Sequence, residues 1–400
     1  MFRDWGEDYI RIYTPNLRTI KLIRSIRVCR TPALGGKQIS CKTCGHVRYQ
    51  YFSCGNSHCP QCQGIKRLQW QDRLAGRMLN VPYVHTTFTL PHQLNGLARR
   101  YPTLIYKLLF HSAWKTIKQL CADECKVGGL PGMTAVLHTW GSDLKYHVHV
   151  HCLVTFGGLS SGSRPEWRWP KLKDKLARYR EMCGRFRKVF LADLKPLMEQ
   201  PEVVYHRSFE DLENELLKVR WVVHNTRPTA DTKVIEEYLG RYICRIGISN
   251  KRLSYDKNGQ NVRIQYNDYR NQKQGQVAPK QHRNLPPLLA MQLFLQHQLP
   301  AYFQKVRHYG LHAGRTYAKI KDQIPNQLKG NGRTVRTVIQ LLRALLAKAP
   351  HQCDSCGGSD FEIEPIEPDR SYLWRHILHQ GRSPPTGQAD KTGVLTKAPS

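Results

Sequence analysis

The sequence predicts an α+β protein in which strands and helices follow a small zinc-ribbon-like module. Three observations carry that expectation. Residues 41–62 read CKTCGHVRYQYFSCGNSHCPQC, two CxxC pairs with fourteen residues between them. Residues 83–155 then pass from a β-branched stretch of period two, through a long stretch of helical period, to two further β-like stretches. A strongly basic stretch of helical period comes next, KLKDKLARYREMCGRFRKVFLADLKPLM at 171–198.

The cysteines come first in the chain. Each CxxC lets a tight turn aim two thiolates at one ion, and two such turns complete a tetrahedral four-sulfur site with no position left for chemistry. Cys41, Cys44, Cys59 and Cys62 are therefore read as structural zinc ligands. Cys54 and His58 lie inside the loop and Cys29 stands upstream in VCRTPALGG, which leaves open a second ion or a different choice of four. A redox role for a single CxxC is the lesser alternative. Thirteen cysteines in a 400-residue chain without a signal segment point to reduced thiols rather than disulfides. Cys353 and Cys356, in CDSCGG, read either as half of another zinc knuckle or as a turn.

After GIKRLQWQDRLAGRMLN, of helical period, VPYVHTTFTLPHQL predicts a strand at about 83–90. A helix over 98–121 places Leu104, Leu108, Ala113 and Ile117 near one face. MTAVLHT at 133–139 is the next strand, and YHVHVHCLVTF follows it after the turn-like WGSDLK. GGLSSGSRPEWRWP, 157–170, reads as a loop ahead of the basic helix.

On a strand, side chains alternate between faces, so His147, His149 and His151 share one face while Val148, Val150 and Cys152 share the other. A single strand histidine is usually a satisfied structural residue. Three in register are different, because neighbouring same-face imidazoles can bring two nitrogens to one ion. A divalent-metal site is the favoured reading. Farther on, KVIEEYLGRYICR at 233–245 fits a helix with Ile235, Leu239 and Ile243 on one stripe and Val234, Tyr238 and Tyr242 on its neighbour. The first stripe suits a core. The second presents two phenols one turn apart, with Arg241 and Arg245 alongside to meet phosphate.

Composition narrows the partner. Sixty-two Lys and Arg against thirty Asp and Glu leave a formal charge of +32, a self-repulsion best explained by a polyanion. Nucleic acid is the first candidate, with eight Trp and nineteen Tyr available to stack on bases. The length implies two or three domains. No run of about 18 apolar residues occurs, and the amino terminus is charged from its third residue, so neither membrane insertion nor export is expected. A cytoplasmic location is.

HVHVHCLV resembles the His-hydrophobic-His (HUH) motif of single-strand DNA nucleases, and YLGRY resembles the two-tyrosine motif of the rolling-circle transposases of the insertion-sequence-91 family. CRTPALGG, CGNSHCPQCQ, FTLPHQL, HTWGSDLKYHVHVHCLVTFGGL, YLGRYICRIGISNKRL and LPAYFQKVRHYGL resemble the same family in order, over about residues 25–312. The resemblance implies a ferredoxin-like α+β nuclease domain, His149 and His151 as ligands of a catalytic Mg2+ or Mn2+, and Tyr238 and Tyr242 as nucleophiles. His147 becomes a third ligand, a supporting group or a DNA contact, and His138 is another candidate for the third ligand. The implied substrates are single-stranded or hairpin DNA at the element ends and a target DNA, with a 5′-phosphotyrosine and a free 3′-hydroxyl formed on cleavage. The implied organisation is a zinc-binding domain at 1–75, the nuclease at 76–260, a mixed, partly helical region at 261–350, and a CxxC segment with a flexible tail at 351–400. A relaxase or replication initiator would share the chemistry, while a non-catalytic zinc-finger binder would explain only the charge and the cysteines. A zinc hydrolase using all three histidines would give the charge no purpose.

Overall fold

The computed structural model describes residues 1–371 apart from 77, 232–234, 236–246, 257–258, 270, 273–275, 331–335, 347–350 and 370. The chain divides into two compact units, each assembled from segments far apart in sequence. Met1–Lys66, Ile246–Gln298 and Val338–Ser400 form the first, and Arg67–Arg245 with Leu299–Thr337 form the second.

The first unit opens with two helices, α1 (Phe2–Tyr13) and α2 (Leu17–Val28). Thr14 turns the chain between them in the left-handed region, and Asn16 caps α2 by accepting from the Thr19 amide at 3.0 Å. Leu22, Ile23 and Ile26 are buried. Gly6 lets α2 approach, since a Cβ there would lie 2.6 Å from the Arg27 side chain, which is buried and paired with Glu7. A hairpin comes next, β1 (Gly36–Cys41) and β2 (Val47–Tyr51).

The second unit begins in α3 (Gly64–Ala75) and is organised by β3 (Tyr83–Thr89), α4 (Asn95–Arg100), α5 (Pro102–Ala122), β4 (Gly132–Trp140) and β5 (Tyr146–Thr155). The stretch read as a loop contains a short ladder, β6 (Gly158–Leu159) against β7 (Trp167–Arg168). Then come α6 (Tyr179–Met198), α7 (Phe209–Lys218) and β8 (Val222–Asn225). Back in the first unit, β9 (Leu253–Tyr255), β10 (Val262–Asn267) and β11 (Lys280–Leu285) make an antiparallel sheet in the order β11-β10-β9, and α8 (Pro287–Leu295) packs Phe294 edge-on against Phe2 at 5.2 Å. The second unit is completed by β12 (Val306–Gly310) and α9 (Gly314–Ile320), and the first by α10 (Val338–Leu346) and β13 (Phe361–Ile366).

The central sheet of the second unit is antiparallel throughout, in the order β12-β4-β5-β3-β8. Its connectivity, strand, helices, two strands, helices, strand, is the β-α-β-β-α-β pattern of ferredoxin-like domains with β12 added at one edge. The expected α+β class and antiparallel sheet with flanking helices are what the structure contains. One face is apolar: Phe88 of β3, Ala135 and Leu137 of β4, and Val150 and Cys152 of β5 meet Leu109, Ala113 and Ile117 of α5 and Phe186 of α6. All are essentially inaccessible, and each large apolar side chain so buried contributes about 1.5–3 kcal/mol.

The long predicted helix is broken near its start. Pro102 has no N–H to give to the preceding turn, so α4 ends at Arg100 and Pro102 opens α5 in the position where the missing donor costs nothing. Leu104 is half-buried and Ile105 takes the inward place beside Leu108. The basic helix starts at Tyr179, eight residues after the predicted start at 171. Among the described residues, no helix is long and apolar enough to cross a membrane.

Candidate functional site

Opposite the helix-covered face, strand register gathers imidazoles. His138 of β4 faces His149 of β5, and Thr87 of β3 faces His151. The parity that puts Val150 and Cys152 into the core therefore puts His149, His151, His138 and Thr87 on the other side together.

His149 and His151 bring their Nε2 atoms to 3.1 Å. The opposite nitrogen of each ring is engaged. His149 Nδ1–H donates to the His147 carbonyl at 2.9 Å, which in a neutral ring leaves Nε2 as a lone pair. His151 Nδ1 lies 3.2 Å from the Thr87 hydroxyl and 3.0 Å from His85 Nε2, and that hydroxyl lies 2.9 Å from His85 Nε2. Such backing sets ring orientation at metal centres. His138 completes the group: one nitrogen from each of His138, His149 and His151 lies within 4.8 Å of the others. Its ring is held by stacking on Trp140 at 4.6 Å between centroids. Burial pushes His149 down to about 3 and depresses His151 as well, so both rings are neutral and available as ligands at ordinary pH. With His149 and His151 Nε2 3.1 Å apart and a His138 nitrogen beside them, the three imidazoles form a donor set that suits a divalent ion.

The structure places His147 apart from these three rings. It is exposed near the start of β5 and lies outside the three-nitrogen group, serving His149 through its backbone carbonyl. His138 stands in the third place. His85 and Thr87 were not singled out from the sequence, although the alternation of VHTTF already put both on one face of β3.

The cysteines are sorted differently from the predicted set. Cys41, Cys44, Cys59 and Cys62 do not converge. The β1–β2 hairpin separates them, with Cys41 and Cys44 at its turn and Cys54 onward beyond its open end, where Gly36 faces Tyr51. A strand of six residues spans roughly 20 Å, far beyond the reach of one ion. Instead Cys29, at the end of α2, joins Cys54, Cys59 and Cys62, with Cys54 and Cys62 sulfurs 3.8 Å apart. His58 is outside that group, and its Nδ1 meets the Ser57 hydroxyl at 3.2 Å. Cys41 and Cys44 lie against Cys353 and Cys356.

Tyr238, Tyr242, Arg241 and Arg245 lie outside the described residues. Ile235, described within that predicted helix, is buried in the apolar cluster that also contains Val136 and Leu153. By register both belong to the imidazole-bearing side of the sheet.

Residues 1–90 match the family described as "Transposase zinc-binding domain", and residues 132–319 match the family described as "Putative transposase". The "Putative transposase y4qJ" of Sinorhizobium fredii is 33% identical over 333 residues, covering 80% of this chain and 81% of that protein. The "Transposase for insertion sequence element IS801" of Pseudomonas savastanoi pv. phaseolicola is 28% identical over 358 residues, covering 85% of this chain and 82% of the relative. No solved structure matches the chain. Fold, site and matches define a transposase, a DNA-processing enzyme. More narrowly, the chain belongs to the insertion-sequence-91 family of transposases, and its cysteine-rich amino-terminal module is a structural zinc-binding domain.

Proposed function

We propose that this transposase nicks and rejoins single-stranded DNA by tyrosine attack on a phosphodiester held at the His138–His149–His151 site. The observation that carries the reading is the convergence of three buried imidazoles, His138, His149 and His151, on the face of the sheet opposite the packed helices. Burial of Ile235 against that same side supports delivery of the YLGRY segment to it. A Mg2+ or Mn2+ bound there would draw charge from the scissile phosphate and align it.

The chain's residues do the rest. A phenol has a reference pKa of about 10 and is a weak nucleophile while protonated, so attack requires loss of its proton and placement in line with the leaving oxygen. The hydroxyl of Tyr238 or Tyr242 bonds to phosphorus as the bond to the 3′-oxygen breaks, giving a 5′-phosphotyrosine and a free 3′-hydroxyl. Reversal by an incoming 3′-hydroxyl rejoins strands with no other energy source, and two tyrosines allow a second cut while the first is loaded. Arg241 and Arg245 supply charge to the DNA backbone. The proposed substrates are single-stranded or hairpin ends of the element and a target DNA, in the cytoplasm, and the +32 charge favours such polyanions.

The test is incubation of the full chain with labelled single-stranded DNA from the element's ends and Mn2+, followed by denaturing electrophoresis. A covalent adduct mapped to residues 233–245 is expected. An adduct on a tyrosine elsewhere, or cutting of blunt duplex as readily as single strands, refutes the assignment.

A further inference from the structure

We propose that Cys41, Cys44, Cys353 and Cys356 hold a second structural zinc ion, which clasps a carboxy-terminal segment onto the amino-terminal hairpin. The family match to a zinc-binding domain ends at residue 90 and so covers only half of these ligands.

Sulfur geometry is the first support. Cys41 and Cys356 sulfurs are 3.6 Å apart, Cys44 and Cys353 sulfurs 3.7 Å, and all four lie within 4.8 Å of one another. A tetrahedral zinc with bonds of about 2.3 Å has sulfur–sulfur edges of about 3.8 Å, whereas a disulfide needs about 2.05 Å. The cross-pairs have the spacing of co-ligands.

The two CxxC turns are also built alike. Gly45 and Gly357 each follow the second cysteine in the left-handed conformation, at φ 72° and 74°. Each donates its amide to the carbonyl of the first cysteine, at 2.8 Å from Gly45 to Cys41 and 3.1 Å from Gly357 to Cys353. The Ser355 amide points at Cys353 sulfur and the Gly358 amide at Cys356 sulfur, each at 3.4 Å. Two knuckles facing each other supply four ligands, two from each end of a 315-residue separation.

The strand just past the second knuckle gives the ion a purpose. β13 pairs antiparallel with β1 over six residues, from Cys41 against Phe361 to Gly36 against Ile366, giving the order β13-β1-β2. Yet its side chains are mostly exposed, with Ile363 56% accessible, so the strand buries little apolar surface of its own. The exposed Lys42–Asp360 contact at 3.6 Å adds little. Beyond the backbone ladder the strand has, among the described residues, only exposed or half-exposed side-chain contacts, Gln38 to Glu364 at 3.2 Å and Arg48 over Phe361 at 5.3 Å, so a metal clasp next to its first pair would fix both register and docking.

Zinc content of the full chain, measured by inductively coupled plasma mass spectrometry, tests this. The Cys353→Ser/Cys356→Ser double variant is expected to hold one zinc fewer per chain than the parent. Amide exchange should rise at 361–366 while 146–155 stays protected, which also shows that the second unit remains folded. Equal zinc in the two proteins overturns the proposal. Alkylation of the unaltered chain gives an answer that does not depend on the variant folding: Cys356 should resist iodoacetamide until a chelator is added. Free reaction of Cys356 without chelator, or a Cys41–Cys356 disulfide in non-reduced peptide maps, overturns it. None of these readouts involves DNA, so they stand apart from the outcome for the nuclease reading.

Discussion

Thr87→Val tests whether the hydroxyl behind His151 tunes the metal site. The change is nearly isosteric, favours a strand, and leaves the half-buried position filled, so the fold is preserved. It removes the contacts of 3.2 Å to His151 Nδ1 and 2.9 Å to His85 Nε2. At about 0.5–1.5 kcal/mol per net hydrogen bond, the upper bound is about 3 kcal/mol. His151 Nδ1 still has His85 Nε2 at 3.0 Å, so only part of that is lost. The expected effect is a fall in Mn2+ affinity of about tenfold, or about 1.4 kcal/mol, at the weak end of the 10–100-fold range for groups that back metal ligands. Thr87→Ser keeps the oxygen and should stay near the parent, whereas adding His85→Ala to Thr87→Val should move the loss toward a hundredfold. Mn2+ titration followed by electron paramagnetic resonance reads the affinity directly, with adduct yield against Mn2+ concentration as the functional counterpart. Unchanged Mn2+ affinity in Thr87→Val, alongside a large loss in His151→Ala, would refute the idea that this network sets ligand geometry.

His138→Ala should abolish adduct formation and weaken Mn2+ binding by at least a hundredfold, whereas His147→Ala should keep most of both because only its carbonyl supports the site; equal losses in Mn2+ titrations would contradict the placement. Tyr238→Phe and Tyr242→Phe should each retain partial cleavage and lose complete strand transfer, and the double variant should form no adduct on denaturing gels while still binding DNA. Burial lowers His312 from 6.5 to about 3, with neighbouring His308 adding, so the unfolded chain takes up that proton first as pH falls. Its contribution is therefore complete above about pH 6.5 and declines toward pH 3 by up to about 1.4 kcal/mol per unit; urea unfolding of His312→Asn should show a flatter stability–pH curve than the parent. Affinity for single-stranded DNA should drop steeply between about 50 and 200 mM salt in filter-binding assays, and a flat profile would remove the phosphate-contact argument.

The features legible in the sequence were those set by local periodicity. Alternation in YHVHVHCLVTF settled which β5 residues share a face, and β5 has that strand parity. Period alone could not name His138, because its partnership with His149 is a matter of strand register between β4 and β5. The same holds for Thr87 and His85 on β3, which reach His151 only because β3 is the other neighbour of β5 in the sheet. Helix ends failed for a different reason: a hydrophobic stripe running through 98–121 does not register the lost donor at Pro102 that divides α4 from α5.

The cysteine ligand set shows the limit most sharply. Spacing correctly marks CxxC as a unit that aims two thiolates at one ion, since that property lies within a single turn. Which two units share an ion is a question about the chain between them, and a hairpin between two CxxC pairs is a rigid spacer rather than a flexible loop. β1 and β2 carry Cys41 and Cys44 away from Cys59 and Cys62 by the length of a strand, so nearness in sequence works against nearness in space. Each half-site then needs a partner from elsewhere, and the fold provides one locally and one distantly: Cys29 with Cys54 at the open end of the hairpin, and Cys353 with Cys356 at its turn. The distant pairing is possible because β13 runs antiparallel to β1, placing the residues just before it beside the β1–β2 turn. Strand order thus brings the half-knuckle CDSCGG, legible as such in its own six residues, to a partner that those residues could not name.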